Sequence, residues 1–234
     1  MKDLTKSSGG GAKSLAFTLA EVLITLAIIG VVAALTIPVV MANYNKKAQY
    51  TAFMKMYNTL QNSTRLSAAE YGEPNNWEYT DGVNFADLFK AKFYPYLKIA
   101  KICESDVASC ISTYDIKYLN GTVGFSNSLL MGGNGMTVLM QDGSVISIMP
   151  TNHGQHGIYG LAYVVDTNGA KGPNILGRDV FMISYSPNAQ GIWVFNDGAN
   201  PEDCDPNGTL SGGGGPGSGI GCSARLLQEG KMSY

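Results

Sequence analysis

Residues 22–42, VLITLAIIGVVAALTIPVVMA, form 21 consecutive positions without a charge, and Thr25 and Thr36 are the only hydroxyls among them. As a helix this run extends about 31 Å, enough to cross a hydrocarbon core of about 30 Å. It predicts a membrane-crossing helix. Lys2, Lys6 and Lys13 precede it against a single acid, Asp3. That bias keeps the N-terminal end cytoplasmic and sends the rest across.

Composition bounds the remainder. The chain has 234 residues, room for one domain or a small domain with an appendage. Hydrophobic residues make up 45%, so a core is expected. Sixteen Lys+Arg stand against 18 Asp+Glu, a net charge of -2. No general basic field exists, and no nucleic acid partner is indicated. Residues 1–16 read as a polar, Gly- and Ser-rich tag. Their GGGAKS falls short of a phosphate-binding loop, because Ala12 stands where Gly is required and no strand precedes it.

Three readings of the apolar run compete. A cleaved secretory signal would be cut near Ala33 and Ala34. A plain anchor would stay uncut. The third turns on Glu21, a carboxylate at the edge of the run. Such a group costs about 2.5–3.5 kcal/mol at a membrane helix centre and less near its end, so Glu21 demands a partner.

The stretch Ala16-Phe17-Thr18-Leu19-Ala20-Glu21, followed by the long apolar run, resembles the N-terminus of type IV prepilins and of type II secretion pseudopilins. The resemblance covers about 40 residues. It implies cleavage by a prepilin peptidase between Ala16 and Phe17, then methylation of Phe17. Glu21 becomes fifth in the mature chain, and Gly30 and Pro38 fall where that family has a helix-loosening Gly and Pro. Ala16 departs from the usual Gly before the cut.

The resemblance implies an assembly role for Glu21. Its carboxylate would meet the Phe17 amine of a neighbouring subunit, and paired charges away from water attract strongly. The milder alternative is that Glu21 only favours its own helix N-terminus, worth a few tenths of a kcal/mol. Implied partners are the prepilin peptidase, other pilin or pseudopilin subunits, and the inner membrane before assembly. The implied location is the bacterial inner membrane, single-pass with an extracytoplasmic head, then a periplasmic pseudopilus or a surface pilus. The rival is a membrane-anchored extracytoplasmic binding protein that never polymerises. A secreted enzyme with a misread signal is a third reading.

Helical character continues past the membrane. Residues 43–70 lack Gly and Pro, and Phe53, Met56, Tyr57 and Leu60 recur at helical spacing. Gly72 and Pro74 mark the end. From residue 17 to 71 the helix would be about 80 Å long, with Pro38 kinking it or melting a turn. Residues 75–120 read as a connecting region, with a short helix near 85–93 that Asn84 would cap. Beyond about Gly121 the period becomes that of strands, at 136–141, 144–149, 161–166, 180–185 and 191–195. Asp142-Gly143 is a hairpin signal. The expected fold is α+β and pilin-like, a long N-terminal helix on an antiparallel β-sheet head. The expected division is a leader over 1–16, an assembly helix over 17–42, its amphipathic continuation over 43–71, and a head over 72–234. The Gly/Pro-rich stretch 201–221, which includes GGGGPGSG, reads as a flexible loop.

Four cysteines, Cys103, Cys110, Cys204 and Cys222, suit disulfides in an exported head. Three pairings are possible, and proximity favours Cys103–Cys110 with Cys204–Cys222. The second also resembles the disulfide-bounded C-terminal loop of pilins. A zinc site lacks CxxC pairs. His153 and His156 form HxxH without an obvious third ligand and read as loop histidines. Asp166, Asn168 and Asp179, with Asn174 between, place oxygen ligands along a loop where calcium could bind. Some pseudopilins carry calcium in a comparable loop. The alternative is plain turn chemistry at Asn-Gly and Gly-Pro-Asn. No other cofactor and no catalytic constellation is read from the chain.

Overall fold

Helix α1 (Leu19–Tyr71) is one uninterrupted α-helix of 53 residues. The structure, a computed structural model, describes residues 18–77, 85–103, 114–126, 136–151, 160–186, 191–194, 201–212 and 214–234. The chain divides into two units, 1–44 and 45–234.

In the first unit α1 is apolar on every side and uncovered by the chain. Leu19 is 78% exposed and Leu35 72%. Pro38 sits inside the helix without melting a turn, a correction to that half of the expectation. Gly30 leaves open space where a Cβ would stand.

In the second unit α1 becomes one-sided. Its buried positions are Phe53, Met56, Leu60, Ser63, Thr64 and Ser67, which lie along one face of the helix. Each fully buried apolar side chain there contributes about 1.5–3 kcal/mol. The hydroxyls anchor the next segment: Ser63 Oγ donates to the Tyr96 carbonyl at 2.9 Å and Ser67 Oγ to the Lys92 carbonyl at 2.7 Å. The helix stops at Gly72, whose φ of 77° is left-handed and whose N–H donates to the Ala68 carbonyl at 3.0 Å.

The short helix α2 (Phe85–Lys92) comes next, as expected; Asn84, its expected cap, lies outside the described residues. The rest of the supposed connecting region holds strands β1 (Ile99–Cys103) and β2 (Asp115–Lys117). Strand β3 (Val123–Ser126) pairs with β2 in a separate two-stranded sheet. Strands β4 (Met136–Met140), β5 (Val145–Thr151), β6 (Gly160–Asp166), β7 (Val180–Ser186) and β8 (Gly191–Val194) complete the main sheet. Its order is β1-β4-β5-β6-β7-β8 and every pairing is antiparallel. The fold is α+β.

Strand alternation sorts the two faces. Leu161, Tyr163 and Val165 of β6, with Phe181, Ile183 and Tyr185 of β7, share a core with Phe53, Met56 and Leu60 of α1. Phe53 and Phe181 meet with ring centroids 4.7 Å apart. On the opposite face, Val164 and Val180 join a second core with Ile116 and Leu176. The β4–β5 connection is a tight loop. Gly143 takes φ 87°, its N–H donates to the Met140 carbonyl, and Asp142 Oδ1 accepts the Ser144 N–H at 3.0 Å.

The C-terminal stretch corrects the flexible-loop expectation. The Leu119 N–H donates to the Ser218 carbonyl at 3.2 Å, and Asn120 N–H to Gly217 at 3.0 Å. Glycine makes the contact possible, since a Cβ on Gly217 would lie 2.3 Å from the Gly208 carbonyl oxygen. An unexpected helix, α3 (Cys222–Glu229), closes the chain's C-terminal part.

Candidate functional site

Thr18 and Glu21 sit at the first turn of α1 in the T-x-x-E spacing. The Thr18 N–H and hydroxyl both donate to Glu21 Oε2 at 2.8 Å. The Glu21 N–H donates to Thr18 Oγ1 at 3.2 Å. This is a reciprocal capping box, and it satisfies donors that a helix start leaves open. Glu21 thus makes hydrogen bonds at the start of its own helix, where its charge also suits the helix dipole. Thr18 is a functional neighbour that the charge pattern of the sequence does not single out, although its spacing from Glu21 marks it. Ala16 and Phe17, the expected processing positions, lie outside the described residues. The cap opens a helix long and apolar enough to cross a membrane.

The second candidate lies between β6 and β7. Asp166 ends β6 and Asp179 precedes β7, and both are buried. Asp179 Oδ2 accepts the Asn174 N–H at 2.8 Å, and its Oδ1 accepts the Ile175 N–H at 2.7 Å. Asn174 needs that support, because its φ of 56° is left-handed. Asp166 Oδ1 accepts the Asn168 N–H at 3.1 Å, while its Oδ2 accepts the Tyr114 hydroxyl. Asn168 Nδ2 reaches the Gly172 carbonyl at 2.8 Å.

Burial pushes the Asp166 carboxyl up to about 6. The Tyr114 hydroxyl and Asn168 N–H oppose this, and the Asp179 charge adds to it. Burial likewise raises Asp179, against the pull of the Ile175 and Asn174 N–H groups. The structure therefore brings Asp166, Asn168 and Asp179 together; three of the four carboxylate oxygens accept N–H groups of the loop and the fourth accepts the Tyr114 hydroxyl. Among the described residues, no group of three or more His, Cys, Asp and Glu side chains could hold a metal. These hydrogen bonds are those of a turn closed by its own polar groups. The amide oxygens of Asn168 and Asn174 are left buried without a partner. His153 and His156 lie outside the described residues.

The third element is the C-terminal clip. Cys204 and Cys222 form a disulfide across a sequence separation of 18. Arg225 of α3 tightens it, donating from Nη1 to the Cys204 carbonyl at 2.7 Å and pairing with Glu229 at 2.8 Å. A Cβ on Gly177 would come within 2.4 Å of Cys222 Sγ, so the β6–β7 loop presses directly on the clip. Tyr234 closes the far side, its hydroxyl donating to the Gly177 carbonyl at 2.6 Å. Cys103 is also disulfide-bonded. Cys110, its expected partner, lies outside the described residues.

No curated protein and no solved structure matches the chain. A family model described as "Family of unknown function (DUF6613)" matches residues 39–202. The match starts just after Pro38 and stops just before Cys204, so it leaves out the cap, most of the apolar run and the disulfide clip. It takes in the β-sheet, both buried aspartates and most of the chain, and the protein accordingly belongs to this family of unknown function.

Proposed function

We propose that this chain is a structural subunit, a minor pilin or a pseudopilin, of a type IV pilus or type II secretion pseudopilus. A prepilin peptidase cuts between Ala16 and Phe17 and methylates Phe17. The apolar part of α1 holds the subunit in the inner membrane with its head outside, then packs among the same helices of other subunits. The head supplies surface identity.

One observation carries this reading: a carboxylate is pinned at the start of an uncovered apolar helix, four residues beyond Phe17. The capping box holds Glu21 in place, so its charge needs no reorganisation to meet a cationic amine of a neighbour. The pilin-like layout, a long helix leading into an antiparallel sheet with a C-terminal disulfide, supports it. The test is to express the chain with and without an active prepilin peptidase. Surface structures are then sheared from the cells and probed for the protein. Appearance in the sheared fraction only with active peptidase supports the reading, and complete retention in the membrane with both contradicts it.

The second reading, an anchored binding protein, draws on a groove of about 370 Å³ between α1 and the β4–β5 hairpin. Met56 and Met140 line it alongside Lys55, Asn62 and Gln141. An intact Met1 on the mature protein would favour that reading.

A further inference from the structure

Ala42 ends the uncharged run, and the charges that follow it on α1 are all basic until Glu70: Lys46, Lys47, Lys55 and Arg65. Their distances from the run differ. At about 1.5 Å per residue, Lys46 and Lys47 stand about 6 and 8 Å beyond Ala42 along the helix. A bilayer is about 40–45 Å thick around a core of about 30 Å, which leaves about 5–8 Å of headgroup layer on each side. A run that fills the core therefore brings both lysines to the headgroups. Lys55 is about 20 Å beyond Ala42 and Arg65 about 35 Å, outside that layer.

Lys55 is also engaged, since its ammonium pairs with Asp142. Among the described residues neither Lys46 nor Lys47 has a hydrogen-bond or ion-pair partner for its side chain. Lys47 is exposed and Lys46 half-buried. The stretch that carries them is fastened, because Tyr50, one turn beyond Lys46, packs against the main core of the head and Phe53 is buried in it. Two ammonium groups thus stand on an ordered helix, a few residues past the apolar run. Tyr44 comes between, 68% exposed and of a residue type enriched at the membrane–water boundary.

We infer that Lys46 and Lys47 bind the anionic phospholipid headgroups of the leaflet nearest Ala42. The inference rests on reading residues 22–42 as a membrane anchor, which the filament subunit and the anchored binding protein share. It adds what the anchor recognises. An apolar helix accepts any bilayer of the right thickness, whereas each lysine near an anionic surface raises association by a factor of about five. Phosphodiester oxygens are the acceptors that an ammonium meets at that depth. Phosphatidylglycerol offers them with a net negative charge, while the choline of phosphatidylcholine neutralises its own phosphate. Lysines that only mark the end of a span snorkel into the headgroups of either lipid, and that role predicts no preference between the two.

The experiment uses the chain as purified from the envelope, reconstituted into phosphatidylcholine vesicles. Trace spin-labelled phosphatidylglycerol or spin-labelled phosphatidylcholine is added, and electron paramagnetic resonance reads the share of label held at the protein. Wild type should hold phosphatidylglycerol about five-fold or more over phosphatidylcholine at low salt, and less at about 0.5 M salt. Lys46→Gln with Lys47→Gln should lower that ratio about five-fold, while Lys46→Arg with Lys47→Arg should keep it. Arg65→Gln, on the same helix but beyond the headgroups, should leave it unchanged. Lysines before the run are the same in every variant and drop out of the comparison. Unchanged thermal melting shows in each case that the head is folded. Equal association of the two lipids with wild type, or a preference undiminished in the double glutamine variant, would overturn the inference and leave the anchor reading standing. Failure of wild type to float with phosphatidylcholine vesicles would overturn the anchor reading, and the inference with it.

Discussion

Thr18 and Glu21 cap each other at the start of α1, the Thr18 N–H donating to Glu21 Oε2 at 2.8 Å and the Glu21 N–H to Thr18 Oγ1 at 3.2 Å. The cap and the charge of Glu21 are separable. Glu21→Gln keeps an acceptor for the Thr18 donors and loses the charge, whereas Thr18→Ala keeps the charge and loses the cap. If the charge drives docking, Glu21→Gln and Glu21→Ala should both be exported, membrane-retained and folded, yet poorly incorporated into sheared filaments. Glu21→Asp should be intermediate because its reach is shorter. Thr18→Ala should cost about 1 kcal/mol of helix stability and reduce incorporation less than Glu21→Gln does. Equal incorporation of Glu21→Gln and wild type would assign the residue to capping alone.

Asp166 makes the head's stability depend on pH with a definite sign. Its folded value, about 6, stands above its ordinary 3.8. Between those values the folded chain binds more protons than the unfolded one, so this group's contribution falls as pH rises through the window and is constant above it. The loss is on the order of 2–3 kcal/mol. Asp166→Asn should remove this group's share of the dependence and leave that of Asp179, which burial also raises. Urea midpoints of wild type and variant, measured from pH 4 to pH 7.5, should diverge in favour of the variant as pH rises. Parallel curves would show that Asp166 does not titrate in this range.

The same loop should close without an ion. Asp179 receives two backbone N–H groups and Asp166 receives an N–H and the Tyr114 hydroxyl. Chelator treatment and added calcium should both leave the thermal midpoint of the purified chain unchanged. A rise with calcium that Asp179→Asn abolishes would establish a cation site there, with Asn168 Oδ1 and Asn174 Oδ1 as its further ligands.

Gly177 links that loop to the disulfide clip. Its φ is 84°, and a Cβ there would fall 2.4 Å from Cys222 Sγ. Gly177→Ala should therefore destabilise the head by about 2 kcal/mol or more. Replacing Cys204 and Cys222 together by Ser should cost about 3 kcal/mol. Both are read as shifts in denaturant midpoint under non-reducing conditions. A Gly177→Ala chain as stable as wild type would mean that the clip and loop are not in contact.

Sequence patterns revealed the elements that one strong period governs. Phe53, Met56 and Leu60 marked the buried face of α1, and the short apolar run from Leu161 marked β6. Asp142-Gly143 placed the hairpin. Strands β1 and β2 escaped because they are short, and β1 has exposed and half-buried positions without alternation. Helix α3 and the packed loop before it were hidden by glycine, which reads as freedom until the backbone it approaches is known. Of the site, the T-x-x-E spacing at Thr18 was legible from local order. The hydrogen bond from Tyr114 to Asp166 was not, since it joins residues 52 apart that meet only once the second core has packed.

The mature N-terminus tests the central claim most directly. Intact mass and N-terminal peptide mapping of the protein taken from the envelope should show a chain beginning at Phe17 and carrying one added methyl group. A chain that still begins at Met1, or one cut within or after the apolar run near Leu35, would contradict the filament-subunit account.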